Sequence, residues 1–164
     1  MRPTAPIGSA RPRRDRMSTG ESAGPIHPVA TRNGKRYLFS AKHHGLDRHA
    51  ARWLPSLSRD EEFAVFDTAD FHDISDEGWL YGVGRRINGQ LPELGTLGEQ
   101  IAEFPFAREH ETWHGYPLWP LKVAGPPNRK GEKHRPAKSV FLKMEAEGLI
   151  STRDWKRLYK GNHA

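Results

Sequence analysis

The sequence predicts an α+β fold: an antiparallel sheet of four or five strands with short helices and a C-terminal helical pair. Two Asn-Gly dipeptides, at 33–34 and 88–89, are typical of β-hairpin turns; the first lies between short apolar runs, and the second follows an apolar run at 79–83. Towards the C-terminus, apolar residues recur at helical spacing in two segments separated by Gly148. The sixteen Gly and thirteen Pro residues indicate a domain rich in loops.

The N-terminal segment, residues 1–27, is rich in Pro, Gly, Ser and Arg and almost lacks large apolar side chains. Such a segment cannot bury enough surface to offset the entropy lost on ordering. We therefore expect a disordered basic arm over 1–27, followed by a single α+β domain over 28–164.

Composition also limits the setting of the protein. The chain has no cysteine, so it has neither a disulfide nor a thiolate metal site, as is typical of proteins in a reducing compartment. No run approaches the roughly 20 apolar residues of a membrane span. We expect a cytoplasmic protein that does not interact with membranes.

In the first half of the chain, the two Asn-Gly dipeptides predict type I′ turns, because both central residues of such a turn need positive φ. The apolar runs around these turns and between them predict the neighbouring elements. The predicted elements are strands over 28–32, 35–41, 62–66 and 79–83 and a helix over 46–54.

The second half is predicted to be mainly helical. Thr96 and Glu99 form a capping-box pattern for a helix over 97–103, and a second short helix is expected over 106–114. Pro136 suits the start of the first C-terminal helix, which Gly148 ends. Ser151 and Asp154 match the cap of a last helix, which Gly161 ends.

Charge is distributed unevenly within the net +6. Residues 60–77 carry eight Asp or Glu and no Lys or Arg, whereas residues 122–138 carry six Lys or Arg and one Glu. A basic segment attracts phosphates or an acidic partner. The acidic segment offers Asp67, Asp70, Asp73 and Asp76 as ligands for Mg²⁺, although Asp is commoner as a cap or turn residue.

The string His110-Glu111-Thr112-Trp113-His114 fits the H-E-x-x-H pattern of zinc hydrolases. On a helix, His110 and His114 would share a face and bind one Zn²⁺, while Glu111 would activate the bound water. A zinc-dependent hydrolase is therefore one of the functions that the sequence allows. The proposed helix is short and bounded by prolines, and no third ligand is evident.

Two nuclease hypotheses also use His114. His114, Asn128 and His134 follow the order of residue types in ββα-metal nucleases, which would place Mg²⁺ or Zn²⁺ beside the scissile phosphate. A metal-independent RNase needs fewer residues: His114 would act as base or acid, and Arg135 or Lys138 would stabilise the phosphate charge. For His43, His44 and His49 a structural or solvated role is expected.

The preferred hypothesis is binding of nucleic acid or a nucleotide, with nuclease activity as one form of it. Aromatic rings next to cationic side chains suit bases and phosphates, respectively. The predicted contacts are Trp113, Tyr116, Arg129, Lys130, Arg135, Lys138 and Arg157. The remaining alternative is a protein–protein interaction module, in which the acidic or the basic segment binds a partner of opposite charge.

Overall fold

The computed structural model describes residues 27–45, 51–108, 111–118 and 136–160. It has the predicted α+β class, with a two-stranded sheet, a four-stranded antiparallel sheet and three α-helices in the described ranges. The strands are β1 (Val29–Ala30), β2 (Arg36–Tyr37), β3 (Ser75–Asp76), β4 (Trp79–Gly82), β5 (Ala102–Phe104) and β6 (Tyr116–Pro117). The helices are α1 (Arg59–Phe71), α2 (Lys138–Ala146) and α3 (Thr152–Tyr159), with a short 3₁₀ helix at Ala41–His43.

The four-stranded sheet has the order β3-β4-β5-β6, and each of its two faces packs against helix. Residues opposite each other on paired strands share a face. Leu80 and Phe104 are such a pair, and they pack with Phe66 of α1. Tyr81, the next residue of β4, belongs instead to the core around Phe141 of α2. The sheet therefore separates the α1 core from the core under the helical pair.

The strand predicted over 62–66 is wrong, because these residues lie inside α1. Ser58 and Glu61 form a capping box: the Ser58 hydroxyl accepts from the Glu61 backbone N–H at 3.2 Å, and the Ser58 backbone N–H donates to the Glu61 carboxylate at 2.8 Å. The cap starts a helix whose acidic first turn suits the helix dipole. The short apolar run was ambiguous between strand and buried helix.

The helices predicted over 97–103 and 106–114 are also wrong. Gly98 has φ of +83°, which ends any helix there, and the following residues enter β5. Residues 106–108 and 111–114 are not helical either. The backbone of Trp113 instead pairs in parallel with Tyr37. Tertiary pairing has therefore overridden the helical pattern.

The two Asn-Gly dipeptides form different turns. At 88–89 both residues have positive φ, +50° and +79°, so the predicted type I′ turn is confirmed. At 33–34 only Gly34 has positive φ, and its N–H donates to the Thr31 carbonyl at 3.0 Å. That geometry is a type I turn followed by a left-handed glycine, so the type I′ prediction is wrong and β1 and β2 are shorter than expected.

The C-terminal helical pair is confirmed. Gly148 follows α2 with φ of +72°, as a left-handed C-terminal cap requires. Ser151 caps α3, and its hydroxyl accepts from the Asp154 N–H at 3.1 Å. The two helices bury Val140, Phe141, Met144 and Leu158 under the sheet.

Several predictions fall beyond or partly beyond the described ranges. The basic arm lies outside them except for its last residue, His27. Residues 46–50 of the predicted helix over 46–54 are also outside, whereas residues 51–54 are described and are not helical. Within the described ranges, no helix is long and apolar enough to cross a membrane.

Candidate functional site

The segment 113–116, on which the sequence hypotheses centre, is held by backbone hydrogen bonds to β2. The Trp113 N–H donates to the Arg36 carbonyl at 2.7 Å, and the Leu38 N–H donates to the Trp113 carbonyl at 2.8 Å. Two residues on, the Gly115 carbonyl accepts from the Trp53 indole N–H at 3.1 Å. These bonds fix the backbone from which the His114 and Tyr116 side chains project.

Gly115 has a steric role in this segment. A Cβ atom at this position would lie 2.1 Å from the Phe104 ring and 3.1 Å from the Glu103 carbonyl oxygen. Real Cβ atoms do not approach other heavy atoms so closely, so any larger residue would displace the Phe104 ring or the backbone. Only glycine lets β6 enter the sheet at this point.

A buried hydrogen-bond network lies beneath the segment. The Tyr37 hydroxyl donates to Glu62 Oε1 at 2.5 Å, and both residues are almost completely buried. On the other side of the carboxylate, His44 Nε2 lies 2.7 Å from Glu62 Oε2. The Glu62 carboxylate thus lies between the Tyr37 hydroxyl and the His44 imidazole.

Burial and the Glu62 carboxylate change the pKa of the Tyr37 hydroxyl. Desolvation, the neighbouring carboxylate charge and the hydrogen bond to it all raise the pKa of the Tyr37 hydroxyl far above its ordinary value. The phenol therefore stays protonated and acts only as a fixed donor to Glu62. The other oxygen of this carboxylate lies within ion-pair distance of the His44 imidazole, so it would stabilise the charged form of that ring.

His43 forms the floor of the site. Its ring is 6% exposed, and Nδ1–H donates to the Ala51 carbonyl at 2.9 Å, which leaves the lone pair on Nε2. It stacks on the Tyr116 ring at 4.8 Å and lies nearly parallel to the His114 ring at 6.2 Å. Burial lowers the pKa of His43 most strongly, the bond to Ala51 opposes this, and the charges of His114, Lys42 and His44 lower it further.

His114 is exposed to solvent, although part of its ring is packed. This partial burial lowers the pKa of His114, and the nearby Lys42 charge lowers it further. Tyr116 is half-buried and hydrogen-bonds Glu103, and burial together with that carboxylate raises the pKa of the Tyr116 phenol. We call the group Lys42, His43, His44, His114 and Tyr116, with Glu62 and Tyr37 beneath it, the histidine cluster.

The histidine cluster combines the groups needed for proton transfer. His114 is neutral at physiological pH and can accept a proton, and His44 is held by a carboxylate. Lys42 supplies a positive charge near both rings of the stacked pair. Within the described ranges, no three His, Asp or Glu side chains converge as ligands for one metal ion.

The geometry on which the zinc hypothesis depends is absent from residues 111–114, because they are not helical. Glu111 is exposed and accepts from the Arg108 backbone N–H at 3.1 Å, closing a local turn. His110, the other predicted zinc ligand, lies outside the described residues. The pattern thus matches in sequence without the helix that makes it a metal site.

The predicted contacts that are described lie in different parts of the fold: Trp113 in the α1 core, and Lys138 and Arg157 on the C-terminal helical pair. Trp113 is 7% exposed and packs in the α1 core against Phe66 at 5.8 Å, so its ring is not available for stacking. Lys138 lies over the Trp155 ring, and Arg157 lies 3.7 Å from Asp154, both on the helical pair. The predicted contacts Arg129, Lys130 and Arg135 lie outside the described residues, as do Asn128 and His134.

The aspartates of the acidic segment serve mainly to attach other elements to α1. Asp67 pairs with Arg32 at 2.7 Å, and Asp70 accepts from the Thr31 hydroxyl at 2.5 Å and pairs with Lys35. These bonds dock the β1–β2 hairpin on α1. The alternative role as a Mg²⁺ site finds no converging set of ligands among the described residues.

Sequence reasoning did not predict that Lys42, His44 and Glu62 belong to the histidine cluster. No element was predicted for His43 and His44, and adjacent side chains on an extended segment would point to opposite faces. The observed 3₁₀ helix and the position of Glu62 inside α1 bring both histidines to one cluster. The run Ser58-x-x-Glu61 was a usable signal, because a helix starting there places Glu62 in its first turn.

Comparison with known proteins identifies no relative: no family model, no curated protein and no solved structure matches this chain.

Proposed function

We propose that the protein binds RNA and cleaves it by acid–base catalysis at the histidine cluster. One observation carries the proposal. Two solvent-facing imidazoles belong to the histidine cluster: His44 lies 2.7 Å from the buried Glu62 carboxylate, and the ring of His114 lies over the buried ring of His43. A pair of imidazoles, one neutral and one beside a carboxylate, suits the transfer of a proton to and from a substrate.

RNA is the substrate class that best fits two imidazoles, because it carries its own nucleophile. A base removes the proton of the 2′-hydroxyl, and the 2′-oxygen attacks the adjacent phosphorus. The bond from phosphorus to the 5′-oxygen breaks, and an acid gives that oxygen a proton. The products are a 2′,3′-cyclic phosphate and a 5′-hydroxyl, so one proton is taken and one is returned.

The environments of the two histidines suggest their roles. His114 has a lowered pKa and is therefore the base. His44 is the acid: when charged, it is held by Glu62 through Nε2, which leaves Nδ1–H to protonate the leaving oxygen. Lys42 would stabilise the charge that develops on the phosphate. His43 is a positioning residue, since its ring is buried beneath that of His114.

The charge distribution supports an anionic substrate. The chain has a net charge of +6, and the sequence following β6 carries the predicted contacts Arg129, Lys130 and Arg135. This basic segment follows His114 in the sequence, so a phosphate backbone that it attracts would be brought towards His114. This part of the binding is expected to weaken as salt is raised.

The test is cleavage of a fluorescent single-stranded RNA, beside DNA of the same sequence, in the presence of a metal chelator. We expect cleavage of the RNA only, with products that end in a cyclic phosphate. Replacing His44 by Gln should lower the rate by about 100-fold or more, since a positioned acid or base contributes roughly 10²–10⁴-fold.

The matched control is His27→Gln, because His27 is an exposed histidine outside the histidine cluster. That variant should cleave RNA at the rate of the unmodified protein. Absence of RNA cleavage by the unmodified protein, or equal rates for the His44→Gln and His27→Gln variants, would refute the proposal.

A further inference from the structure

A cavity that shares no residue with the histidine cluster lies between the type I′ turn at 87–90 and the start of α3. Its volume is about 350 Å³. Three arginines line it, together with one carboxylate and several hydrogen-bonding side chains. The lining includes Arg86, Arg153, Arg157, Asp154, Ser151 and Gln90.

The charges around this cavity do not cancel. Its three guanidinium groups carry three positive charges, and Asp154 is its one acidic residue, which leaves a net charge of +2 on the lining. Burial acts to raise the pKa of Asp154, but the hydrogen bonds from Ser151 and the charges of Arg86 and Arg157 outweigh it and lower that pKa. Asp154 is therefore ionised at neutral pH, and the excess of two positive charges remains.

Two of the arginines are positioned by contacts already present. Arg86 donates to the Gly89 carbonyl at 3.2 Å through Nε and lies 3.3 Å from Asp154. Arg157 lies 3.7 Å from the other oxygen of the same carboxylate. Arg153, the third, makes no ion pair within the described ranges. Asp154 thus holds two guanidinium groups at the cavity while neutralising only one charge.

We propose that this cavity binds a phosphomonoester of about nucleotide size. Such a group carries close to two negative charges at neutral pH, which matches the net charge of the lining. The planar fork of arginine suits phosphate oxygens, and Ser151 and Gln90 offer further hydrogen bonds. A volume of about 350 Å³ lies within the range of small-molecule sites, so the cavity has room for more than the phosphate itself.

The experiment measures binding of 5′-AMP, inorganic phosphate and adenosine to the full chain by isothermal titration calorimetry. We expect 5′-AMP to bind, inorganic phosphate to bind more weakly and compete with it, and adenosine not to bind. The double variant Arg153→Gln/Arg157→Gln should bind 5′-AMP at least about tenfold more weakly, because it loses two charge-assisted hydrogen-bond donors. The single variant Arg153→Gln removes no described ion pair and serves if the double variant does not fold.

The matched control is Lys160→Gln, which removes one positive charge beyond the end of α3 and away from the cavity lining. It should bind 5′-AMP like the unmodified protein. Absence of binding by both 5′-AMP and phosphate would overturn the proposal, as would equal losses in the cavity variants and the control. A further arm uses a single-stranded RNA without terminal phosphates. Arginine-dependent binding of that RNA without binding of 5′-AMP would assign the cavity to backbone phosphates instead and would also overturn the proposal.

Discussion

The histidine cluster and the cavity lined by Arg86, Arg153 and Arg157, here called the arginine cavity, contain different kinds of side chain. The histidine cluster draws on side chains from distant parts of the chain, and beneath it the buried Tyr37 hydroxyl donates to Glu62. The arginine cavity is made largely from one turn and the first two turns of α3, and its charges are permanent. One region can move a proton near neutral pH, and the other can only attract and hold an anion.

This difference separates the two proposed roles. Arginine stays charged at any physiological pH, so the cavity should bind an anion without contributing acid–base chemistry. Burial and neighbouring charges lower the pKa of His43 and His114, so the chemistry of these two rings depends on the packing around them. Changes in one region should therefore leave the measured property of the other intact.

The largest expected effect is that of His114→Ala on RNA cleavage. Loss of the base should lower the rate by about 100-fold to 10,000-fold while 5′-AMP binding stays unchanged. Arg153→Gln should give the reverse pattern, with weaker 5′-AMP binding and an unchanged cleavage rate. Both properties are measured on both variants. If both variants lose the same property, the two regions form one site and the comparison fails.

Next in size is the effect of Tyr37→Phe on stability. The phenylalanine leaves Glu62 Oε1 without its donor inside the core, which should lower the free energy of unfolding by about 1.5–3 kcal/mol. Chemical denaturation measures this value. Ser75→Ala is the comparison, because it removes a hydroxyl that donates to the exposed Asp73 carboxylate, which water can solvate instead, and it should cost less. Equal costs for the two variants would contradict the central place of the Tyr37–Glu62 bond.

A buried carboxylate outside both regions, Glu99, should lower the stability of the folded protein when it ionises. Burial raises the pKa of Glu99 most strongly, with a smaller contribution from Glu93, and its Oε1 has no hydrogen-bond partner among the described residues. The unfolded chain, with its lower pKa, releases the proton first as pH rises. Stability is therefore lost as pH increases from 4.5 through the folded pKa.

Glu99→Gln removes this loss, because the amide cannot ionise. The variant should be more stable than the unmodified protein at about pH 7, on the order of 1–3 kcal/mol, and should be less sensitive to pH above 4.5. Thermal unfolding across a pH series measures both properties. If the pH dependence of stability were the same in the variant, ionisation of Glu99 would not destabilise the folded protein, which would contradict this account.

The smallest expected effect concerns the acid side of the pH–rate profile. The base must be neutral, and the pKa of His114 is lowered from 6.5. Cleavage should therefore persist as pH falls through 6.5 and decline only at lower pH. Replacing Lys42 by Gln removes one cause of the lowered pKa and should move the decline to higher pH. A decline centred above 6.5 in the unmodified protein would contradict the assigned role of His114.

Local patterns in the sequence predicted the parts of the fold that depend on local interactions. The turn at 88–89, the left-handed Gly148 and the cap at Ser151 each depend on neighbours within a few residues. The helix predicted over 106–114 was wrong for the opposite reason: the Trp113 backbone bonds to Arg36 and Leu38, far away in the chain. Short-range periodicity does not contain that pairing.

The candidate site was predictable only in part. His114 and Tyr116 were singled out, because His and aromatic residues lie close together there in the sequence. The burial of the Trp113 indole could not be predicted, because it depends on which face of the segment packs on α1. Glu62 could not be assigned to the site without knowing that Ser58 starts a helix which directs it towards Tyr37 and His44.

The most direct measurement uses a DNA oligonucleotide that contains one ribonucleotide. The proposed chemistry needs a single 2′-hydroxyl, so the unmodified protein should cut once, on the 3′ side of that ribonucleotide, and leave a 2′,3′-cyclic phosphate. The His114→Ala protein should leave the oligonucleotide intact. No cut at the ribonucleotide, or a cut that does not require His114, would contradict the assignment of RNA cleavage to the histidine cluster.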